Sequence, residues 1–155
     1  MALDRLISLL AEIAPPSDDY MTRFDFSEKL REFFSREDIQ KWMIETNQSN
    51  LYDKQENVNG RHLGIYADKT AKHKRKMGRP DHYYTYYETG KTYDNLEVVV
   101  EDTFVGIYPH HLDAPDYALF LDESAWGLQP DDLDEKREEI IDVCVDTIRD
   151  FITNG

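Results

Sequence analysis

The 155-residue chain has a single cysteine, Cys144. One thiol excludes an intrachain disulfide and a zinc site built on thiolates, and a reducing compartment is the expected setting. Long apolar runs are also missing. No stretch approaches 18 consecutive apolar residues, so no membrane span is expected. The N-terminal run MALDRLISLLAEIAPP is interrupted by Asp4, Arg5 and Glu12 and lacks the basic start and cleavage site of a signal peptide. Positive charge is scarce: 18 Lys and Arg stand against 32 Asp and Glu, a formal net charge of −14. Such a surface repels nucleic acid as a whole, because duplex binding needs clustered cations. Solubility, an acidic face for a basic partner, and DNA mimicry all fit this balance.

What is present suffices for one globular domain. Apolar residues make up 40% and aromatics 12%, too much for a disordered chain and enough for a core. Leu3, Leu6, Ile7, Leu10 and Ile13 recur at helical spacing up to Pro15-Pro16. Asp25-Phe26-Ser27-Glu28 has the spacing of a helix start, and Ser35 before Glu37 and Asp38 offers a second. Leu30, Phe33, Phe34, Ile39, Trp42, Met43 and Ile44 predict helix from about Ser27 to about Tyr52, continuous or kinked. A turn follows at Asn57-Val58-Asn59-Gly60. A short helix capped by Asp68 is expected to run to Met77 and stop at Gly78.

From Tyr83 to Tyr87 the composition predicts extended chain. Residues 93–101 and 104–108 predict a hairpin across Asp102-Thr103, ended by Pro109. Pro115-Asp116-Tyr117 can begin a short helix through Leu121. Pro130 opens a C-terminal helix with the stripe Leu133, Ile140, Ile141, Cys144, Ile148, Phe151 and Ile152. The order gives an α+β fold: N-terminal helices, then a small antiparallel sheet packed with a long C-terminal helix. It is read as one domain over 1–155, with an arm at 1–16, a helical part at 17–60, a basic segment at 61–80, a sheet region at 81–127 and the last helix at 128–155.

Gly90-Lys91-Thr92 ends like a phosphate-binding loop. The first glycine of that motif would stand at position 85, which is Thr85. The residues after Thr92 have strand composition, so no helix is expected to aim at a phosphate. Gly90 is then a turn residue between extended segments.

Other chemistry-bearing groups are weak. His110-His111 with Asp113 lacks a third spaced ligand, and adjacent strand histidines point to opposite faces. His62, His73 and His82 are scattered. The acid pairs Asp131-Asp132 and Glu138-Glu139 sit on the polar side of an amphipathic helix, where solvation is the default. No serine has a Gly-x-Ser-x-Gly setting, and Cys144 lies on a core stripe. No catalytic, cofactor or metal residue is assigned.

The basic run carries more information. Lys69, Lys72, Lys74, Arg75, Lys76 and Arg79 place six cations within eleven residues, with only Asp68, just before the run, against them. Between Asp113 and Asp150, 13 acids face Lys136, Arg137 and Arg149. A solvated helix face, a nucleic-acid contact aided by tyrosine stacking, and assembly all fit the run. One basic and one acidic segment in the same chain suit head-to-tail contact between identical subunits, which closes into a ring when the rotation permits. The expected contact residues are Lys69, Lys72, Lys74, Arg75, Lys76, Arg79, Tyr84, Tyr86, Asp131, Asp132, Glu135 and Glu138.

Two motif series bear on this. Thr89-Gly90, the strand Asp94 to Val100, and Tyr117-Ala118 with Asp122, Glu123 and Gly127 form one. Gly60-Arg61, Ile65-Tyr66, Thr70, Lys74, Gly78-Arg79-Pro80 and Thr89-Gly90 form the other. Over about residues 50 to 152 the chain resembles the neck and tail-completion proteins of tailed phages and, among them, a ring protein of crAss-like phages. The turn departs from that pattern: Lys91-Thr92-Tyr93 stands where a large apolar residue and a serine are usual. The first 50 residues have no counterpart. The resemblance implies a structural virion protein of the head–tail connector or tail, present in the host cytoplasm during assembly. It implies a ring of six or twelve copies, twelve being expected, that joins adjacent portal, neck or tail rings. DNA would only pass through the lumen, and no cofactor, membrane or catalysis is involved. The alternative from charge alone is an acidic interaction protein or DNA mimic that inhibits a host DNA-binding protein.

The missing first glycine makes a direct prediction. Isothermal titration of the protein with ATP and magnesium is expected to give no binding heat; a saturable isotherm would contradict it.

Overall fold

The computed structural model describes residues 27–101, 104–109 and 123–154. The N-terminal helix through Ile13, the cap at Asp25, the short helix after Pro115 and the His110-His111 pair lie outside these residues.

Helix α1 (Ser27–Ser35) and helix α2 (Glu37–Ser49) are separate. The break is at Arg36, whose backbone is extended (φ −63°, ψ 136°). The second start therefore caps one residue later than Ser35. The Arg36 guanidinium instead meets Asp38, Nη2 to Oδ2 at 2.6 Å. Leu30, Phe33 and Phe34 are the buried face of α1. Ile39, Met43 and Asn47 lie four apart and form the buried face of α2. The helix then widens into a π turn, Asn50–Lys54, and stops at Gln55 in the left-handed region (φ 57°).

Helix α3 (Asp68–Lys76) is the short basic helix. Ala67 holds the cap position and Asp68 stands in the first turn without a side-chain cap bond. Its carboxylate still suits the positive end of the helix dipole. Gly78 follows with φ 65°.

Strand β1 (Leu96–Glu101) and strand β2 (Phe104–Pro109) form an antiparallel hairpin, with Val98 opposite Ile107 and Val100 opposite Val105. The first strand is shorter than residues 93–101, because Lys91–Asp94 is a helical turn, α4. Tyr83 to Tyr87 is not a strand either. Only Tyr83 makes a bridge, to Ile65, and Tyr86 has φ 54°. Tyrosine hydroxyls replace a partner strand there. The Thr85 amide donates to the Tyr66 hydroxyl at 3.0 Å, and the Thr85 carbonyl accepts from Tyr93 at 2.6 Å. Strand propensity reports fit to a pleated surface, and this segment is held by side chains instead.

The C-terminal helix is also subdivided. Pro130–Lys136 is a 3₁₀ turn, and helix α5 runs Arg137–Asn154. The Asp132 carboxylate accepts from the Gln129 amide and from Asn50 Nδ2, which pins the tight turn. Leu133, Ile140 and Cys144 are buried as the stripe requires, and burial pushes the Cys144 thiol up to about 11. The architecture is thus α+β, with helices, a two-stranded hairpin and a C-terminal helix.

One core joins α1, α2, the hairpin and α5 through Leu30, Phe33, Ile39, Met43, Ile107 and Ile140. A smaller cluster gathers Leu51, Tyr93 and Ala125, with Tyr86, Tyr87 and Trp126 against it. Asparagines tie this second cluster to the C-terminal segment. Asn47 Nδ2 donates to Ala125 O at 2.9 Å and to Gly127 O at 2.8 Å. Asn57 Nδ2 donates to Ser124 Oγ at 2.9 Å. Asn47→Ala strands two carbonyls in a buried place. Each unmet buried group costs about 1–3 kcal/mol. Urea unfolding is expected to show a loss of about 2–4 kcal/mol with an unchanged m-value; a loss under about 0.5 kcal/mol would contradict the role given to Asn47.

Candidate functional site

The basic helix α3 does not present its cations as one field. Lys74 is buried, with its side chain only 3% exposed. Its amine donates to Tyr87 O at 2.6 Å, lies 3.1 Å from Glu88 Oε2 and sits 4.7 Å from the Tyr66 ring centroid. Arg79 donates to the Glu88 carbonyl, faces Glu88 Oε1 at 3.5 Å and stacks over Tyr87 at 5.7 Å. His73 Nε2 lies 3.5 Å from the same carboxylate. Arg75 pairs with Asp81 at 2.6 Å. The run therefore has counter-ions that sequence proximity hides: Glu88 and Asp81 come from the segment that follows.

Lys74 leaves the set of expected contact residues, because its charge is consumed inside the chain. Asp132 leaves it too, because its carboxylate is taken up by the Gln129 amide and Asn50 Nδ2 at the start of the 3₁₀ turn. Tyr86 is half-buried against Trp126, ring centroids 5.7 Å apart. Tyr84 is exposed and lies edge-on to Tyr66 at 4.9 Å. Lys69, Lys72 and Lys76 remain exposed, and no ion pair engages them among the described residues. Their i, i+3, i+7 spacing makes one row along the helix. Asp131, Glu135 and Glu138 are exposed on the C-terminal side, and Asp142 continues the acid surface along α5. Glu139 is instead paired with Lys136 at 2.8 Å.

The Gly90-Lys91-Thr92 stretch is now explicit. A helix does follow it, contrary to the expectation from composition, but α4 has only four residues. Gly90 is left-handed (φ 86°), and its carbonyl accepts from the Asp94 amide at 2.9 Å. Thr85 is fully buried and both its backbone groups are bound to tyrosine hydroxyls. No backbone amide of Thr85 is left for a phosphate.

A second feature went unread in the sequence. An open cleft of about 470 Å3 lies between α2, the π turn and the Tyr87–Tyr93 segment. Its floor and rim include Glu45, Ser49, Tyr52, Asp53, Tyr87 and Tyr93. Tyr87 is the middle ring of three, 5.0 Å from Tyr52 and 5.2 Å from Tyr93, edge to face in both cases. Ser49 Oγ donates to Asp53 Oδ2 at 2.9 Å, which fixes that carboxylate. Burial holds the Tyr93 phenol well above its ordinary range, so it stays neutral. The sequence signal was the polar series 45, 48, 49, 52, 53 at helical spacing, which a solvated face explains equally well until Tyr87 and Tyr93 arrive from afar.

No group of three His, Cys, Asp or Glu side chains among the described residues is placed to hold a metal ion. No helix among them is long and apolar enough to cross a membrane. No protein-family profile, curated protein or solved structure matches the chain.

The Glu88 carboxyl is held below its ordinary value of 4.5, first by the hydrogen bond from Lys74 and then by the charges of Lys74, Arg79 and His73. A depressed folded value means a contribution to stability that is present above the unfolded value and lost as pH falls through the folded one. Glu88 is half exposed, so the contribution is about 1 kcal/mol at neutral pH. Glu88→Gln is expected to lose that amount at pH 7 in urea unfolding. The gap between wild type and variant should close as pH falls below 4.5; a gap that stays constant with pH would contradict the pairing.

Proposed function

We propose that this protein is a structural virion protein, a ring-forming subunit of the head–tail connector or tail of a tailed phage. The observation that carries the reading is the segregation of unspent charge. Lys69, Lys72 and Lys76 line one helix without ion partners among the described residues, while Glu135, Glu138 and Asp142 are exposed on the C-terminal segment. Two complementary surfaces on one chain suit a heterologous contact, and such contacts close into rings. The motif resemblance over about residues 50 to 152 supplies the setting. In that setting the acidic surplus has a use: a negative lumen lets DNA slide without adhering. The neighbours would be portal, neck or tail rings, and no residue would be catalytic.

The net charge of −14 shapes the assembly. Whole copies repel one another, and the Debye length grows from about 8 Å at physiological salt to about 30 Å at 0.01 M. Low salt therefore lets repulsion reach across the contact, and high salt screens the contact itself. Native mass spectrometry across salt concentrations is expected to show a closed oligomer, twelve copies in the favoured case, that is most abundant at intermediate salt. Lys69→Glu, Lys72→Glu and Lys76→Glu together should leave folded monomer. A wild-type chain that stays monomeric at every salt and concentration, and does not join purified virions, would overturn the ring. A monomer that captures a nuclease or polymerase from host lysate would favour the DNA-mimic alternative instead.

A further inference from the structure

We infer that the tyrosine-lined cleft beside the π turn is the seat for a lysine of the exposed α3 row from a second copy of this chain. The inference rests on the assembly reading above and names where the basic helix lands.

The cleft has the chemistry of a cation site. Three tyrosine rings are joined edge to face through Tyr87, and two carboxylates, Glu45 and Asp53, stand at the same opening. Ammonium groups are attracted to aromatic faces within about 6 Å, more strongly where water is displaced. Asp53 is oriented in advance by Ser49, so little ordering remains for a ligand to impose. Glu45 is only loosely engaged, with Lys41 at 3.8 Å on the exposed helix face.

The backbone explains why these groups converge. Glu45, Ser49, Tyr52 and Asp53 follow one stripe of α2 into the π turn. Wide turns of this kind recur at functional sites because they re-aim side chains out of helical register. Tyr87 and Tyr93 are brought opposite by the Thr85 anchor and by the hydrogen bond from Gln48 Nε2 to Tyr93 O at 3.0 Å.

The same recognition already occurs inside the fold. Lys74 Nζ sits 4.7 Å from the Tyr66 ring centroid and 3.1 Å from a Glu88 oxygen. The cleft repeats that pairing of tyrosine and carboxylate at the surface, with no internal lysine in its lining, although Arg79 lies over the Tyr87 ring at 5.7 Å and Lys41 reaches Glu45 at 3.8 Å from the helix face. The complementary group is also present on the chain. Lys69, Lys72 and Lys76 are exposed and form no ion pair among the described residues. An open cleft suits a side chain carried on a protein surface better than a small metabolite, whose sites enclose most of the ligand. On α5 the Glu139 carboxylate is already paired with Lys136, whose amine lies over Trp42; the exposed acids around it shape the longer-range field while the cleft provides the short-range seat.

The test is a charge exchange between full-length copies. One variant carries Lys69→Glu, Lys72→Glu and Lys76→Glu. The other carries Glu45→Lys and Asp53→Lys. Circular dichroism confirms that each folds, and Glu45→Lys alone serves should Asp53→Lys disturb the π turn. Each variant by itself is expected to lose assembly, with an apparent dissociation constant raised about ten-fold or more. Mixed in equal amounts they should assemble again, because every contact then pairs opposite charges in alternation.

Cleft reversal that leaves assembly intact, or a mixture that fails to restore it, overturns the cleft inference. Loss of assembly on Glu135→Lys with Glu138→Lys, while cleft reversal has no effect, would keep the ring and move the seat to the C-terminal segment. A closed dimer in place of a ring would overturn the ring, and the exchange result would still decide the cleft. A wild-type chain that never self-associates overturns both.

Discussion

The local architecture around the basic helix depends on one buried ammonium. A charge removed from water is costly unless it is paired and hydrogen-bonded. Lys74 meets that demand with a backbone carbonyl from Tyr87, the Glu88 carboxylate and the face of Tyr66. Each partner fixes a segment. Tyr66 anchors Thr85, Tyr87 forms the middle of the aromatic row, and Glu88 collects Arg79 and His73. The helix, the Tyr83–Tyr87 stretch and the cleft are therefore linked through a single amine. Its burial also accounts for the surface: with Lys74, Arg75 and Arg79 engaged, the three exposed lysines left over fall in one row.

A second constraint joins that region to the helical core. Asn47, Asn50 and Asn57 are buried polar side chains on one continuous segment. Their amides reach Ala125, Gly127, Asp132 and Ser124, all more than sixty residues away. Apolar contacts would tolerate small slips, whereas hydrogen bonds with fixed geometry set register. The same bonds place Trp126 beside Tyr86 and hold the 3₁₀ turn at the mouth of α5. The two hydrophobic clusters thus share a frame that neither would define alone.

Legibility in the sequence followed interaction range. The helical stretch from Ser27, though not whether it is one helix or two, the hairpin and the C-terminal stripe are readable because periodicity and turn residues are local signals. The tyrosine stretch misled because its order comes from hydroxyls of Tyr66 and Tyr93, which no window around Thr85 contains. The helical turn after Gly90 was hidden by strand composition, since a left-handed glycine and the Tyr93 anchor decide that backbone. Lys74 looked like its neighbours for the same reason: its partner Glu88 lies 14 positions on, in a segment read as sheet. The cleft was legible only in half. Its helical stripe is in the sequence, but its opposite wall is a product of tertiary structure.

These constraints bear on how an acidic chain can associate with itself. At a net charge of −14, copies repel at long range, so attraction must come from groups in near contact. Three exposed lysines alone are weak, because surface ion pairs are worth about 0–1 kcal/mol each. An aromatic wall changes that balance by displacing water and adding attraction to the ring face. The fold places such a wall next to Asp53 and Glu45 with no lysine in the lining itself, while Arg79 lies over Tyr87 and Lys41 reaches Glu45 from the helix face. In the proposed assembly specificity would come from geometry: a lysine row at fixed helical spacing would meet a cleft whose carboxylate is held by Ser49, while acidic surfaces elsewhere would reject unguided contact. Long-range self-repulsion combined with one short-range seat would favour ordered closure over random aggregation, which is the behaviour the proposed ring subunit requires.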